Sequence, residues 1–230
     1  MPNIKVLSTH AVHDVLRELR PMFERTSGID LAIDWAPANL LRREIENDAA
    51  FDVAIVTRPV IDALTNHGKI IAESCVDIGR SGLGVAVRRG ADRPDISTLD
   101  AFKRALLTAK SVARSRDGTS GLYFETLLTR LGIAEAMHGK IVLGGSGLIA
   151  ELVARGEAEM AVQQIPELLP VSGADFVGPL PNELQLYTTF SAGVGVVTKD
   201  RTSAESFISC LTAPASCALF AAKGLEPIRR

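Results

Sequence analysis

The stretch Ile4 to Trp35, IKVLSTHAVHDVLRELRPMFERTSGIDLAIDW, decides the fold class. It opens on a short apolar run, Ile4 to Leu7, of strand length and strand composition. From Val12 to Phe23 the apolar residues Val12, Leu16, Leu19 and Phe23 recur at helical spacing, so this segment reads as a helix with one apolar stripe. Ser27-Gly28 stops the helix, and Leu31 to Trp35 is a second strand. Strand, helix and strand in succession form the βαβ unit of an α/β protein with mostly parallel strands.

The same grammar runs outward along the chain. The Leu40 to Ile45 region is a helix that ends at Asn47-Asp48, and Val53 to Val56 is a third strand. Pro59 starts a helix closed by Asn66, His67 and Gly68. After Ser81-Gly82 the strand Leu83 to Val87 opens a second stretch. Pro94 and Ser97-Thr98 lead into a helix through Leu107, followed by strand Ser111 to Ala113, a Gly-rich turn and helix Leu122 to Leu131. Strand Ile141 to Leu143, helix Leu148 to Arg155, strand Met160 to Gln163 and a short helix near Glu167 continue the pattern. Gly173 to Gln185, rich in Pro, Gly and acidic residues, reads as a surface connection. Leu186 to Val197 is a strand pair or one kinked strand, and two helices follow, the second beginning after Pro214 and stopping at Gly224-Leu225.

Composition bounds the function. The 230 residues carry 25 Lys+Arg against 27 Asp+Glu, a net charge of −2, which lacks the basic face that neutralising phosphates requires, so nucleic acid is an unexpected partner. Apolar residues make up 47% of the chain, enough for a sizeable core, yet no apolar run approaches the roughly 18–20 residues that span a bilayer, and no membrane insertion is expected. The opening MPNIKVLSTH shows no leader pattern. A cytoplasmic location is the expectation for the chain as given, and a periplasmic one if a leader has been removed. The three cysteines, Cys75, Cys210 and Cys217, read as reduced core residues, and the histidines have no spacing that makes a metal site. No cofactor motif is present; GGSG at Gly144 to Gly147 reads as a strand-to-helix turn.

In open α/β sheets ligands bind beyond the carboxyl ends of the strands, where helix N-termini favour negative charge. The residues at those places are Ser8, Thr9 and His10 after the first strand, Ala38 and Asn39 after the second, and Thr57 after the third. In the second stretch they are Arg114 to Gly121, with Thr119, Ser120 and Gly121 opening a helix, and Gln163-Gln164. Hydroxyls, amides and a few guanidiniums gathered in this way suit a small anion. Arg80 offers a planar fork for a carboxylate. Strand alternation puts Arg114 and Arg116 on one side, so both line a site or both face solvent, with Asp117 placed to neutralise one of them. His10 is the one candidate for proton transfer, since imidazole titrates near neutrality.

The segments KVLSTHAVHDVLRELRPMFERTSGIDL, LLRREIENDAAFDVAIVT, GTSGLYFETLLTRLGI and ELVARGEAEMAVQQIPELLP resemble the type 2 periplasmic-binding-protein fold, and within it the molybdate-binding-protein-like solute-binding subfamily. The resemblance covers essentially the whole chain. It implies two α/β lobes joined by two crossing segments, with a ligand cleft between them: residues 1–82 plus 190–230 as one lobe and 83–189 as the other. It also implies ligand contacts at Ser8-Thr9, at Ala38-Asn39, at Thr119-Ser120-Gly121 and at Gln163-Gln164, the last standing where molybdate binders have a tyrosine. The departures at Ala38-Asn39 and Gln163-Gln164 widen the expected ligand from an oxyanion to a carboxylate.

Three functions follow. The first is a solute-binding protein for a small carboxylate or oxyanion, which would serve a membrane transporter of the ABC type if the chain is exported. The second is an enzyme on the same scaffold, because some proteins similar to this subfamily isomerise unsaturated polycarboxylic acids such as aconitate. The third, a sensor domain of a regulator, is weakened by the lack of a helix-turn-helix segment in the sequence.

Overall fold

The computed structural model describes residues 2–145 and 147–228. The chain divides into two compact units, Met1–Arg80 with Thr188–Arg230, and Ser81–Tyr187. Ser146, in the GGSG turn, lies outside the described residues.

The first unit runs through β1 (Asn3–Ser8), α1 (His13–Ser27), β2 (Asp30–Trp35), α2 (Ala38–Glu46), β3 (Val53–Thr57), α3 (Arg58–Asn66) and β4 (Val76–Ser81, its last residue already in the second unit). The apolar stripe of α1 is buried at Val15, Leu16, Leu19 and Phe23, and Gly28 ends the helix in the left-handed region at φ 71°, its N–H donating to Glu24 O at 3.0 Å. All five residues of β3 are buried, with Val53 and Ile55 packing into one apolar cluster and Ala54 and Val56 into another. A strand covered on both faces needs such an unbroken apolar run, which is why VAIVT carries no polar alternation. The chain returns to this unit with β10 (Thr188–Val194), α9 (Arg201–Leu211) and α10 (Pro214–Ala222). Phe207 of α9 meets Phe23 of α1 at 5.2 Å between ring centroids, which closes the core over the sheet.

The second unit holds β5 (Leu83–Arg88), α4 (Leu99–Thr108), β6 (Val112–Ser115), α5 (Thr119–Arg130), α6 (Ala134–Met137), β7 (Ile141–Gly144), α7 (Ala150–Ala154), β8 (Met160–Gln164), α8 (Ile165–Leu168) and β9 (Ala174–Pro179). Thr98 caps α4 by accepting from Ala101 N–H at 3.2 Å. Leu83, Val85, Phe102, Phe124, Leu127 and Val162 form the core on one face of the sheet, and Ala86, Ala113, Ile149, Val153 and Ala161 pack on the other.

Each unit is built on a five-stranded sheet, in the order β2-β1-β3-β10-β4 and β7-β6-β8-β5-β9. The sheets are mixed rather than mostly parallel. β1 pairs parallel with β2 and β3, and β6 with β7 and β8, but β10 runs antiparallel to β3, and β5 antiparallel to both β8 and β9. Two strands lie outside the sequence expectation. β9 falls in the segment read as a surface connection, and β4 precedes the strand read at Leu83. Both are edge strands, where one row of backbone groups stays unpaired and Pro, Gly and charge are tolerated, so their composition mimics a loop. Leu186 to Val197 yields one strand, β10, and α5 starts at Thr119, earlier than the apolar pattern indicates. The cysteines are free thiols at half-buried positions rather than in the core interior.

Candidate functional site

In the first unit β1 ends at Ser8, level with Trp35 of β2 and Ile55 of β3. Ser8 and Thr9 are buried there. Ser8 Oγ donates to Thr9 O at 3.3 Å and Thr9 N–H to Ile55 O at 3.0 Å, while Thr9 Oγ1 has no hydrogen-bond partner among the described residues. Ala38 is buried and Asn39 half-buried in the first turn of α2, whose N-cap is Pro37. Thr57 is buried at the N-cap of α3 and makes no side-chain cap. The neighbouring Arg58 is fixed by its own chain, to Asp62 at 2.8 Å and Asp77 at 3.1 Å.

His10 lies half-buried just beyond Thr9, its ring 6.3 Å from that of Trp35, which His13 also meets edge-on at 4.8 Å. Burial and the nearby His13 both push its pKa down, so the imidazole is neutral at pH 7. No carboxylate orients it among the described residues. Arg80 does not present a free fork. Its Nε and Nη2 each lie 2.8 Å from Glu226 Oε2, and the two backbones exchange hydrogen bonds, so the guanidinium helps to fasten the C-terminal segment to β4.

In the second unit the ends of β7 and β6 lie side by side, Gly144 opposite Ser115, with β8 parallel on the other side of β6. Helix α5 begins hard against this edge. A Cβ on Gly121 would stand 2.0 Å from Ser115 O and 2.6 Å from Ser115 Oγ, so only glycine lets the helix start approach the strand end this closely. Ser120 is buried and Thr119 half-buried in the same turn, and Ser115 Oγ is buried with no hydrogen-bond partner among the described residues. The two arginines of this loop part company. Arg114 is 8% exposed, with Nη2 on Glu125 at 2.9 Å and Nη1 on Ser115 O at 3.1 Å, whereas Arg116 is exposed. The expected common side fails because β6 ends at Ser115, so strand alternation no longer governs Arg116. Glu125, not Asp117, supplies the partner charge for Arg114.

Gln163 and Gln164 are both buried at the end of β8. Gln163 is a clamp: its Oε1 accepts from Ile149 N–H at 2.8 Å and its Nε2 donates to Gly147 O at 3.0 Å, which holds the turn before α7 against β8. One further group emerges here that strand-end reading passes over. Pro166 opens the short helix α8 directly after the strand, and Glu167 follows it with its carboxyl beside the Gln164 backbone and the Gln163 side chain. Burial pushes its carboxyl up to about 8, although the residue as a whole keeps some exposure. The signal in the sequence was the run QQIPE, a proline stopping a strand and placing an acid one residue later. Among the described residues no group of three or more His, Cys, Asp or Glu is placed to hold a metal ion, and no single helix is long and apolar enough to cross a membrane.

Comparison with known proteins accords with this architecture. An aconitate isomerase from Pseudomonas sp is 31% identical over 231 residues, 98% of this chain and 88% of that protein. Among solved structures, the periplasmic molybdate-binding protein of Azotobacter vinelandii superposes with a TM-score of 0.83 at 20% identity, over 98% of this chain and all of that one. The sulfate-binding protein SubI of Mycobacterium tuberculosis H37Rv gives 0.77 at 14% identity, over 99% and 88%. These two likenesses establish the type 2 periplasmic-binding fold. The profile described as bacterial extracellular solute-binding protein matches residues 4–226, and the chain therefore belongs to that family.

Proposed function

We propose that the chain binds a small polycarboxylate anion through the hydroxyl and amide groups at its strand ends. One observation carries this reading. Thr9 Oγ1 in the first unit and Ser115 Oγ in the second are hydroxyls buried at the carboxyl ends of parallel strands, each with no hydrogen-bond partner among the described residues. An unmatched buried hydroxyl costs about 1–3 kcal/mol, which a ligand oxygen would offset. Thr57, Asn39, Ser120 and the amides opening α5 supply further neutral donors nearby in their own units. The expectation that Arg80 grips the ligand is not part of this reading, because Glu226 holds that side chain. The preference for a carboxylate rests on the amide side chain at Asn39 and on the full-length relative whose name is aconitate isomerase. Titration calorimetry with aconitate, citrate, molybdate and sulfate tests it: a polycarboxylate should bind most tightly. A membrane transporter is the partner implied where the chain acts as a receptor.

A second reading is favoured by the 31% identity over nearly the whole chain: the bound acid is isomerised. Proton NMR of cis- or trans-aconitate incubated with the protein tests it, with a change in isomer ratio faster than the uncatalysed drift as the expected result.

A further inference from the structure

We infer that Glu167 is the proton-transferring group of an allylic isomerisation, the carboxyl that takes a proton from one carbon of an unsaturated carboxylic acid and returns it to another. This inference rests on the isomerase reading and names the residue that reading lacks. Three features of the second unit support it.

The first is position. Glu167 sits in the turn directly after β8, beside Gln163 and Gln164, at the strand end where the family resemblance puts a ligand contact. The second is orientation. The carboxyl lies beside the Gln164 backbone and the Gln163 side chain, and Gln163 is itself pinned to Gly147 O and Ile149 N–H, so the amide next to the acid is held in place. His10 has no comparable support. The third is environment. The groups facing the carboxyl are neutral amides, and no charged side chain adds to the burial that raises its pKa to about 8. A carboxyl of that kind is a stronger base than an ordinary one when ionised, and holds its proton near neutrality when not. The residue as a whole is half-buried.

The chemistry balances without a co-reactant. Glu167 carboxylate takes a proton from the carbon next to the double bond. The C–H pair spreads over the three-carbon unit and into a conjugated carboxylate of the substrate. The same Glu167 O–H then protonates the far carbon, the double bond moves, and the carboxylate is restored. Buried neutral donors such as Ser115 and Ser120 hydroxyls suit the charge that accumulates on the substrate carboxylate.

The test compares wild type with Glu167→Gln, using full-length protein and aconitate. Calorimetry measures binding, proton NMR measures isomerisation, and in D2O it also measures exchange at the methylene carbon. The expected result is that Glu167→Gln binds aconitate within a few-fold of wild type while isomerisation and exchange fall by about 100-fold or more. Wild type should also show a rate that rises through about pH 8, a limb the variant lacks. Turnover retained in Glu167→Gln, or lost only in His10→Gln, overturns the assignment and leaves the isomerase reading standing. Wild type that binds aconitate without exchanging or isomerising it overturns the isomerase reading and this assignment together. Should the variant fold poorly, the wild-type pH profile decides: a rate flat between pH 6 and 9 contradicts a base of this kind.

Discussion

At the end of β1, Ser8 and Thr9 stand buried with one hydroxyl unmatched among the described residues, and the strand-end arginine Arg58 beyond β3 is tied to Asp62 and Asp77. At the end of β8, Gln163 spends both ends of its amide on the turn before α7, and Glu167 follows in the short helix α8. The two strand ends carry the same class of residue, small or amide and uncharged, yet one keeps an unmatched hydroxyl and the other is consumed by its own scaffold. A polar side chain after a strand is therefore a ligand group only when its hydrogen bonds are not already made inside the chain.

The largest effect expected from this contrast is at Gly121. Glycine is required where α5 meets β6, and Gly121→Ala would force a Cβ to within 2.0 Å of Ser115 O. Overpacking against backbone should cost about 3 kcal/mol, read as a lower urea midpoint at unchanged slope. Ala38 already carries a Cβ at the corresponding start of α2, so the first unit has no such constraint.

Next is the unmatched hydroxyl. Thr9→Val keeps the shape and removes an oxygen with no hydrogen-bond partner among the described residues, so stability should hold or rise while anion affinity drops roughly 10-fold, by calorimetry. Gln163→Leu should do the opposite. It strands Ile149 N–H and Gly147 O and lowers stability by about 1–3 kcal/mol, with affinity falling only as the turn loosens.

Glu167 gives the contrast a pH dependence. Between the ordinary carboxyl pKa of 4.5 and about 8 the folded chain holds a proton that the unfolded chain has lost. Stability from this group is complete below pH 4.5 and declines as pH rises toward 8. Glu167→Gln should accordingly melt higher than wild type at pH 8.5, and the gap should narrow at pH 5. A gap that widens toward acid would contradict the buried neutral carboxyl. The smallest effect is at Arg80, whose pairing with Glu226 is half exposed. Arg80→Ala should change stability by no more than about 1 kcal/mol and leave affinity for a small anion unchanged.

These contrasts also mark what the sequence made legible. The βαβ succession from β1 to α3 could be read because each strand is a short apolar run and each helix keeps one stripe, with Ser27-Gly28 and Pro59 as clear punctuation. The edge strands β9 and β4 were not legible, since they carry the Gly, Pro and charge of loops, and the antiparallel direction of β5 and β10 leaves no local trace. The strand-end residues were nameable as candidates, but whether Arg80, Arg114 and Gln163 were already engaged depended on Glu226, Glu125 and Ile149, far away or on other elements. Glu167 escaped notice for a related reason: nothing in QQIPE says that the acid will be buried, because its burial is a property of the packing around β8 and α8.

The proposed ligand is a small polycarboxylate, held at hydroxyls that have no hydrogen-bond partner among the described residues. Calorimetric titration of the wild-type protein with aconitate, citrate, molybdate and sulfate at pH 7 tests it most directly. The account predicts saturable binding of aconitate or citrate, tighter than either inorganic anion, and weakened by Thr9→Val. Tighter binding of molybdate or sulfate, or polycarboxylate binding indifferent to Thr9→Val, would contradict it.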